Sequence, residues 1–112
     1  PLTNETRGMI GEAQLELIKE GAILVNCARG GIVDEAAAKA ALASGKLGGL
    51  SLDVLSGELA GPGLSDNAGL NSDLFGMHGF TVSPHIGGST HEAYDGIGQF
   101  IVDKVAAFYH LS

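Results

Sequence analysis

The sequence has no tryptophan and only one cysteine, Cys27. A single thiol cannot form an internal disulfide, so a disulfide-stapled secreted fold is excluded and a reducing cytoplasm is the expected compartment. Cys27 stands at the end of an apolar strand, where a buried small hydrophobe is the default reading. Cationic residues are scarce, six Lys and Arg against thirteen Asp and Glu, giving a net charge of −7 and a pI near 4.8. That balance argues against nucleic-acid binding and against an anionic membrane surface. No apolar run approaches the roughly 20 residues of a membrane span, and no signal peptide is visible. No GxGxxG occurs, so the pyrophosphate-binding turn of a dinucleotide fold is not among these 112 residues. That length allows one domain at most, and it is small for a complete dinucleotide-binding fold.

What is present centres on GAILVNCARGGIVD, Gly21 to Asp34. Ala22 to Ala28 reads as a strand. Its aliphatic stretch, without polar alternation, suits a parallel strand buried on both faces. Arg29 follows, a planar permanent cation suited to bidentate contact with a carboxylate. Gly30 and Gly31 then allow a sharp turn or a close approach to a ligand. Asp34 reads as the N-cap of an alanine-rich helix to Ser44, with Ala37, Ala41 and Leu42 as its burial face.

On either side the pattern alternates. A short helix over Gly11 to Lys19, with Leu15 and Ile18 on one face, precedes the first strand and closes at Gly21. A second strand, Gly49 to Leu55, carries Leu50, Leu52 and Val54 and has Asp53 near its end. Residues 56–79 form a long glycine-rich loop without periodicity, a length that is usually functional or mobile. The third strand, Phe80 to Ser83, leads into Pro84-His85-Ile86-Gly87-Gly88. Ser89 and Glu92 have the spacing of a capping box. Ala93, Ile97, Phe100, Ile101, Val105 and Phe108 then recur at spacings of three and four, the stripe of a long amphipathic helix.

Helix and strand alternation implies an α/β parallel sheet with right-handed crossovers. Parallel strands deliver Arg29, Asp53 and His85 to one edge, with Glu58 in the loop directly after the second strand. A cation, a histidine and carboxylates at one crevice make an acid/base site. Taken one at a time, each has a plainer reading. Arg29 would be a surface ion-pair partner, His85 an exposed or structural histidine, and Asp53 a loop cap. His78, His91 and His110 read as surface residues, because no second His or Cys stands at a metal-ligand spacing, so no metal is expected. Asp34 and Glu35 are helix-start residues, not a catalytic carboxylate pair.

PLTNETRGMI, VNCARGGIVDEAA, ALASGKLGGLSLDV and SPHIGGSTHEA together cover nearly the whole chain. They resemble the second half of the nucleotide-binding domain of the D-isomer-specific 2-hydroxyacid dehydrogenases. The resemblance implies a three-layer partial Rossmann fold with about three parallel strands, flanking helices and a long C-terminal helix. It implies NAD or NADP as cofactor and a 2-keto or 2-hydroxy acid as substrate, with the alternative that the isolated chain binds no cofactor. Arg29 would bind the substrate carboxylate, His85 would be the general acid/base, and Glu58 would pair with His85. Asp53 and the backbone at Cys27 and Ala28 would meet the nicotinamide carboxamide, while Gly87 and Gly88 would line the same end. In the family, the strand Ala22 to Ala28 pairs with a strand that would precede Pro1. The expectation is therefore a half domain, inactive alone, that forms a homo-oligomer through its open strand edge or its C-terminal helix. The competing reading is a free-standing, non-catalytic assembly or binding module.

Overall fold

The computed structural model describes residues 1–57 and 73–110. The elements run α1 (Glu12–Leu17), β1 (Ala22–Asn26), α2 (Glu35–Ala43), β2 (Leu47–Leu52), β3 (Phe80–Val82) and α3 (His91–Tyr109). All three strands are parallel, in spatial order β1-β2-β3. This is the parallel α/β architecture that the alternating sequence implies, of the Rossmann type that the resemblance implies.

Register decides which side chains form the core. Leu24 pairs with Leu50 and Leu50 with Phe80, and this row points at the helices. Leu42 and Ala38 of α2, Leu15 of α1, and Leu47, Leu50 and Leu52 of β2 are buried together with Leu55 and Leu74. Ala38 is fully enclosed, and the small side chains of α2 let the helix lie close against β2, as their composition predicts. Asp34 caps α2, its carboxylate accepting the Ala36 and Ala37 N–H groups at 3.0 Å. Lys39 reaches from α2 to Asp73 at 2.7 Å, tying the helix to the chain that returns toward β3.

Three local expectations need correction. β1 is not buried on both faces: Ile23 is 74% and Val25 58% exposed. Leu24 between them faces the core, whereas no element among the described residues packs on the side where Ile23 and Val25 point. Cys27 is an exposed thiol, because β1 ends at Asn26 and Cys27 lies already in the turn beyond the sheet. The N-cap of α3 is Thr90, whose hydroxyl accepts the Ala93 N–H at 3.1 Å; the Ser89 N–H is engaged one turn earlier, with the Ile86 carbonyl. Thr90 has extended backbone, which suits the cap position, and helix begins at the next residue.

α3 differs from the other helices in having no buried residue. Its apolar stripe is present, but Ile97, Phe100, Ile101, Val105 and Phe108 are all exposed. No helix of the described residues is long and apolar enough to cross a membrane.

Candidate functional site at the carboxyl ends of the strands

The site is built where the three parallel strands stop. β1 ends at Asn26, whose carbonyl accepts the Asp53 N–H at 2.9 Å, so the ends of β1 and β2 are stitched directly together. Past that stitch, the turn Cys27 to Gly31 carries Arg29. A Cβ built on Gly30 would run into the Leu55 carbonyl and stand 2.9 Å from the Ser56 amide. Only glycine lets this turn lie against the backbone leaving β2. The Arg29 guanidinium folds over its own turn, Nη1 donating to the Ala28 carbonyl at 2.6 Å, and the side chain is exposed.

Asp53 is the hub. The residue is only 5% exposed, and its carboxylate accepts from the Ser83 hydroxyl, from Ile86 N–H at 3.0 Å and from Gly87 N–H at 2.7 Å. A carboxylate after β2 thus gathers the loop after β3. The Ser83 hydroxyl first, then the Gly87 and Ile86 N–H groups and the charge of His85, hold the Asp53 carboxyl below its ordinary value against the opposing effect of burial. Cys27 closes the third side, its Cβ 3.8 Å from where a Gly87 Cβ would stand.

His85 sits in the middle of the gathered loop. Its N–H donates to the Ser83 carbonyl at 2.9 Å across Pro84. Its φ is +54°, one of two positive values outside glycine among the described residues. For a residue with a Cβ, left-handed backbone costs about 1 kcal/mol or more, and such residues cluster at functional sites where neighbouring contacts hold them. Here the contacts are those of Asp53 on the residues immediately after His85.

Of the residues singled out from sequence, Arg29, Asp53, His85, Gly87, Gly88, Cys27 and Ala28 all lie at this edge. Glu58 lies outside the described residues. Three contributors were not singled out. Asn26 braces the Arg29 turn, Ser83 supplies the hydroxyl on Asp53, and the Glu35 carboxylate accepts the Ser56 N–H at 2.6 Å, holding the chain where it leaves β2. A polar residue closing the run ILVN was the one available signal for Asn26. His78, His91 and His110 are exposed, and no group of three His, Cys, Asp or Glu that could hold a metal occurs among the described residues.

The edge carries a carboxylate oxygen with acceptor capacity and one open glycine position. Asp53 Oδ2 takes a single hydrogen bond among the described residues, leaving acceptor capacity for an amide N–H. Gly88 meets no protein atom within 4 Å where a Cβ would stand, so packing does not demand glycine there and the space is open to a ligand.

A parallel α/β unit with polar groups converging at its strand ends defines a Rossmann-type nucleotide-binding architecture. Residues 1–87 match the D-isomer specific 2-hydroxyacid dehydrogenase, NAD binding domain family, and the chain belongs to that family. It is 40% identical over 108 residues to the glyoxylate reductase of Thermococcus litoralis, covering 96% of this chain and 30% of that enzyme. It is 43% identical over 105 residues to the D-3-phosphoglycerate dehydrogenase of Archaeoglobus fulgidus, covering 94% and 18%. Among solved structures, the NAD-complexed D-isomer specific 2-hydroxyacid dehydrogenase of Lactobacillus delbrueckii ssp. bulgaricus superposes with a TM-score of 0.79 at 33% identity, over 98% of this chain and 35% of that one. The enzyme from Xanthobacter autotrophicus Py2 in complex with NADPH and MES gives 0.64 at 38%, over 77% and 25%. The chain therefore spans about a third or less of each of these relatives.

Proposed function

We propose that this chain supplies the acid/base and substrate-binding edge of an NAD(P)-dependent 2-hydroxyacid dehydrogenase. The observation that carries the reading is the Asp53 hub, whose carboxylate gathers the His85 loop and whose N–H is fastened to Asn26, at the start of the Arg29 turn. In this reading Arg29 takes the carboxylate of a 2-keto acid through its planar fork and adds positive charge where the keto oxygen turns negative. When bound, the nicotinamide cofactor supplies the hydride. His85 gives its proton to the oxygen that hydride arrival leaves as an alkoxide, and takes it back in the oxidative direction. The partner that the family resemblance gives His85, Glu58, lies outside the described residues. The Cys27 and Ala28 backbone and the free lone pair of Asp53 Oδ2 face the carboxamide, and Gly87 and Gly88 admit the ring.

The 112 residues hold no GxGxxG, and we expect them to be inactive alone in the cytoplasm, since an untethered nicotinamide forfeits the effective-concentration advantage. The exposed stripe of α3 favours a second reading, that of a non-catalytic assembly module.

The test is a titration of the labelled chain with millimolar NADH and with oxalate, read at backbone amides, beside an assay of NADH consumption with glyoxylate or hydroxypyruvate. The dehydrogenase reading expects shifts at Ala28, Asp53 and Gly87, loss of the oxalate response in Arg29→Ala, and no turnover. Turnover abolished by His85→Ala or Arg29→Ala would support the roles and overturn the expected inactivity. Shifts confined to α3, with none at the strand ends, would favour the assembly module.

A further inference from the structure

The end of β1 holds a buried amide for which the proposed chemistry has no direct use. Asn26 is 7% exposed, one of two buried polar or charged residues among the described residues; Asp53 is the other. Its Nδ2 donates to the Arg29 carbonyl at 3.0 Å and its Oδ1 accepts the Ala28 N–H at 3.0 Å. Its own carbonyl accepts the Asp53 N–H at 2.9 Å. One side chain therefore grips both the middle and the end of the Cys27–Arg29 turn, while its backbone is fastened to the residue that gathers the His85 loop.

The geometry calls for an amide in particular. One planar group must offer a donor to a carbonyl and an acceptor to an N–H within the same turn. Aspartate would set a carboxylate oxygen against the Arg29 carbonyl, and leucine of similar volume would remove both bonds, leaving the Ala28 N–H without its side-chain acceptor and the Arg29 carbonyl with the Ile32 N–H at 3.4 Å. The Arg29 guanidinium is in turn bonded to the Ala28 carbonyl, which belongs to the peptide between the two that Asn26 holds, so the direction in which the fork points follows a peptide clamped on both sides. Gly30 and Gly31 come next and offer no stiffness of their own; Gly31 already has φ of +86°.

We propose that Asn26 is a positioning residue. Its carboxamide locks the turn after β1 so that Arg29 meets a planar 2-oxo carboxylate at a fixed distance from the His85 loop, which Asp53 ties to the same strand end. This rests on the reading of Arg29 as the carboxylate-binding residue. Small displacements matter in such a site, because productive binding falls steeply with misplacement of about 1 Å.

The test uses the full chain labelled with 15N, with oxalate as a non-reacting planar carboxylate, read at the Arg29 Nε–Hε signal and the Ala28 amide. Saturable binding is expected in the wild type and none in Arg29→Ala. Asn26→Ala and Asn26→Leu are expected to bind oxalate about tenfold or more weakly, with the Leu24 and Leu50 amides unmoved and the sheet intact. Asn26→Asp keeps the acceptor for Ala28 and loses the donor for Arg29. It should retain slow exchange at the Ala28 amide while still losing affinity, a split that a general loss of folding would not produce. Wild-type affinity in folded Asn26→Ala and Asn26→Leu would overturn the proposal and leave the Arg29 reading standing. Absence of oxalate binding in the wild type would overturn both, and slow exchange at Ala28 would then show a turn lock that serves the fold alone. Should the apolar variants fail to fold, the wild type still decides: fast exchange of the Asn26 Nδ2 hydrogens and the Ala28 amide would overturn the lock.

Discussion

Gly87 donates its backbone N–H to Asp53 Oδ2 at 2.7 Å, and a Cβ on Gly87 would stand 2.9 Å from that same oxygen. The glycine and the carboxylate are thus matched in space as well as in hydrogen bonding. The match has a pH consequence. The Asp53 carboxyl is held below its ordinary value, first by the Ser83 hydroxyl and then by Gly87. A carboxyl whose pKa is lower in the folded state stabilises the fold fully above its unfolded value, about 3.9, and that contribution is lost as pH falls through the lower folded value. Stability is therefore expected to fall on acidification below about pH 4. Ser83→Ala, which removes the largest cause, should bring the Asp53 carboxyl back toward its ordinary value and so shrink this acid-sensitive contribution to stability. Carboxyl 13C titration of Asp53 beside melting curves across that range checks both; identical Asp53 titration in wild type and Ser83→Ala would show that the Ser83 contact does not hold the carboxylate.

The two glycines that flank the site respond differently to the same change. Gly30→Ala must displace the Leu55 carbonyl, which is backbone and cannot rotate away. Overpacking of this kind costs about 1–3 kcal/mol, and urea midpoints should show it. Gly88→Ala meets no protein atom within 4 Å, so stability should stay within about 0.5 kcal/mol of wild type. If Gly88 lines the cofactor, the NADH-induced shifts at Gly87 should nonetheless weaken. A destabilised Gly88→Ala chain would show that the loop is packed more closely than its contacts indicate.

The cap of α2 offers a local check on the fold. Asp34 satisfies two of the helix's first N–H groups. Asp34→Ala should cost about 0.5–2 kcal/mol, and Asp34→Asn much less. Equal losses in the two variants would mean that the negative charge at the helix start, not the hydrogen bonds, carries the effect.

Sequence patterns captured what is local or periodic. Leu24, Leu50 and Leu52 announce their strands, Asp34 and the alanines their helix, and strand polarity alone carries Arg29, Asp53 and His85 to one edge. Contacts between distant segments left no such mark. The bond from Asp53 to Ser83 and Gly87 spans some thirty residues, and nothing in the spacing of either segment encodes it. Asn26 and Glu35 were hidden for a related reason, because each acts on backbone N–H and C=O groups, which every residue has. Apolar composition misled at Cys27, Ile23 and Val25. An aliphatic run shows that a strand can be buried, but whether each face is covered depends on what packs there.

That uncovered apolar surface carries the last prediction. β1 lies at the edge of the sheet and pairs only with β2 among the described residues. Its outward N–H and C=O groups form a template for another strand, and no lysine or proline in AILVN blunts it. Beside it Ile23 and Val25 are exposed, and along α3 Ile97, Phe100, Ile101, Val105 and Phe108 form a second bare stripe. Patches of this kind mark association surfaces, and closed two-fold pairing is the commonest way to cover them in a homo-oligomer. The expected state is a dimer in which either β1 pairs across the axis or the α3 stripe of one copy is covered by the other, with exchange of α3 as one form of the second arrangement. Light scattering should give a dimer mass independent of concentration down to low micromolar protein. Phe100→Asp combined with Phe108→Asp should produce monomer if α3 is the contact, whereas Val25→Lys should do so if the contact is the β1 edge, and each should leave the other arrangement intact. A stable, well-folded wild-type monomer at those concentrations would sink the prediction, and protection of the Ile23 and Val25 amides in it would show that their face is covered from within the chain.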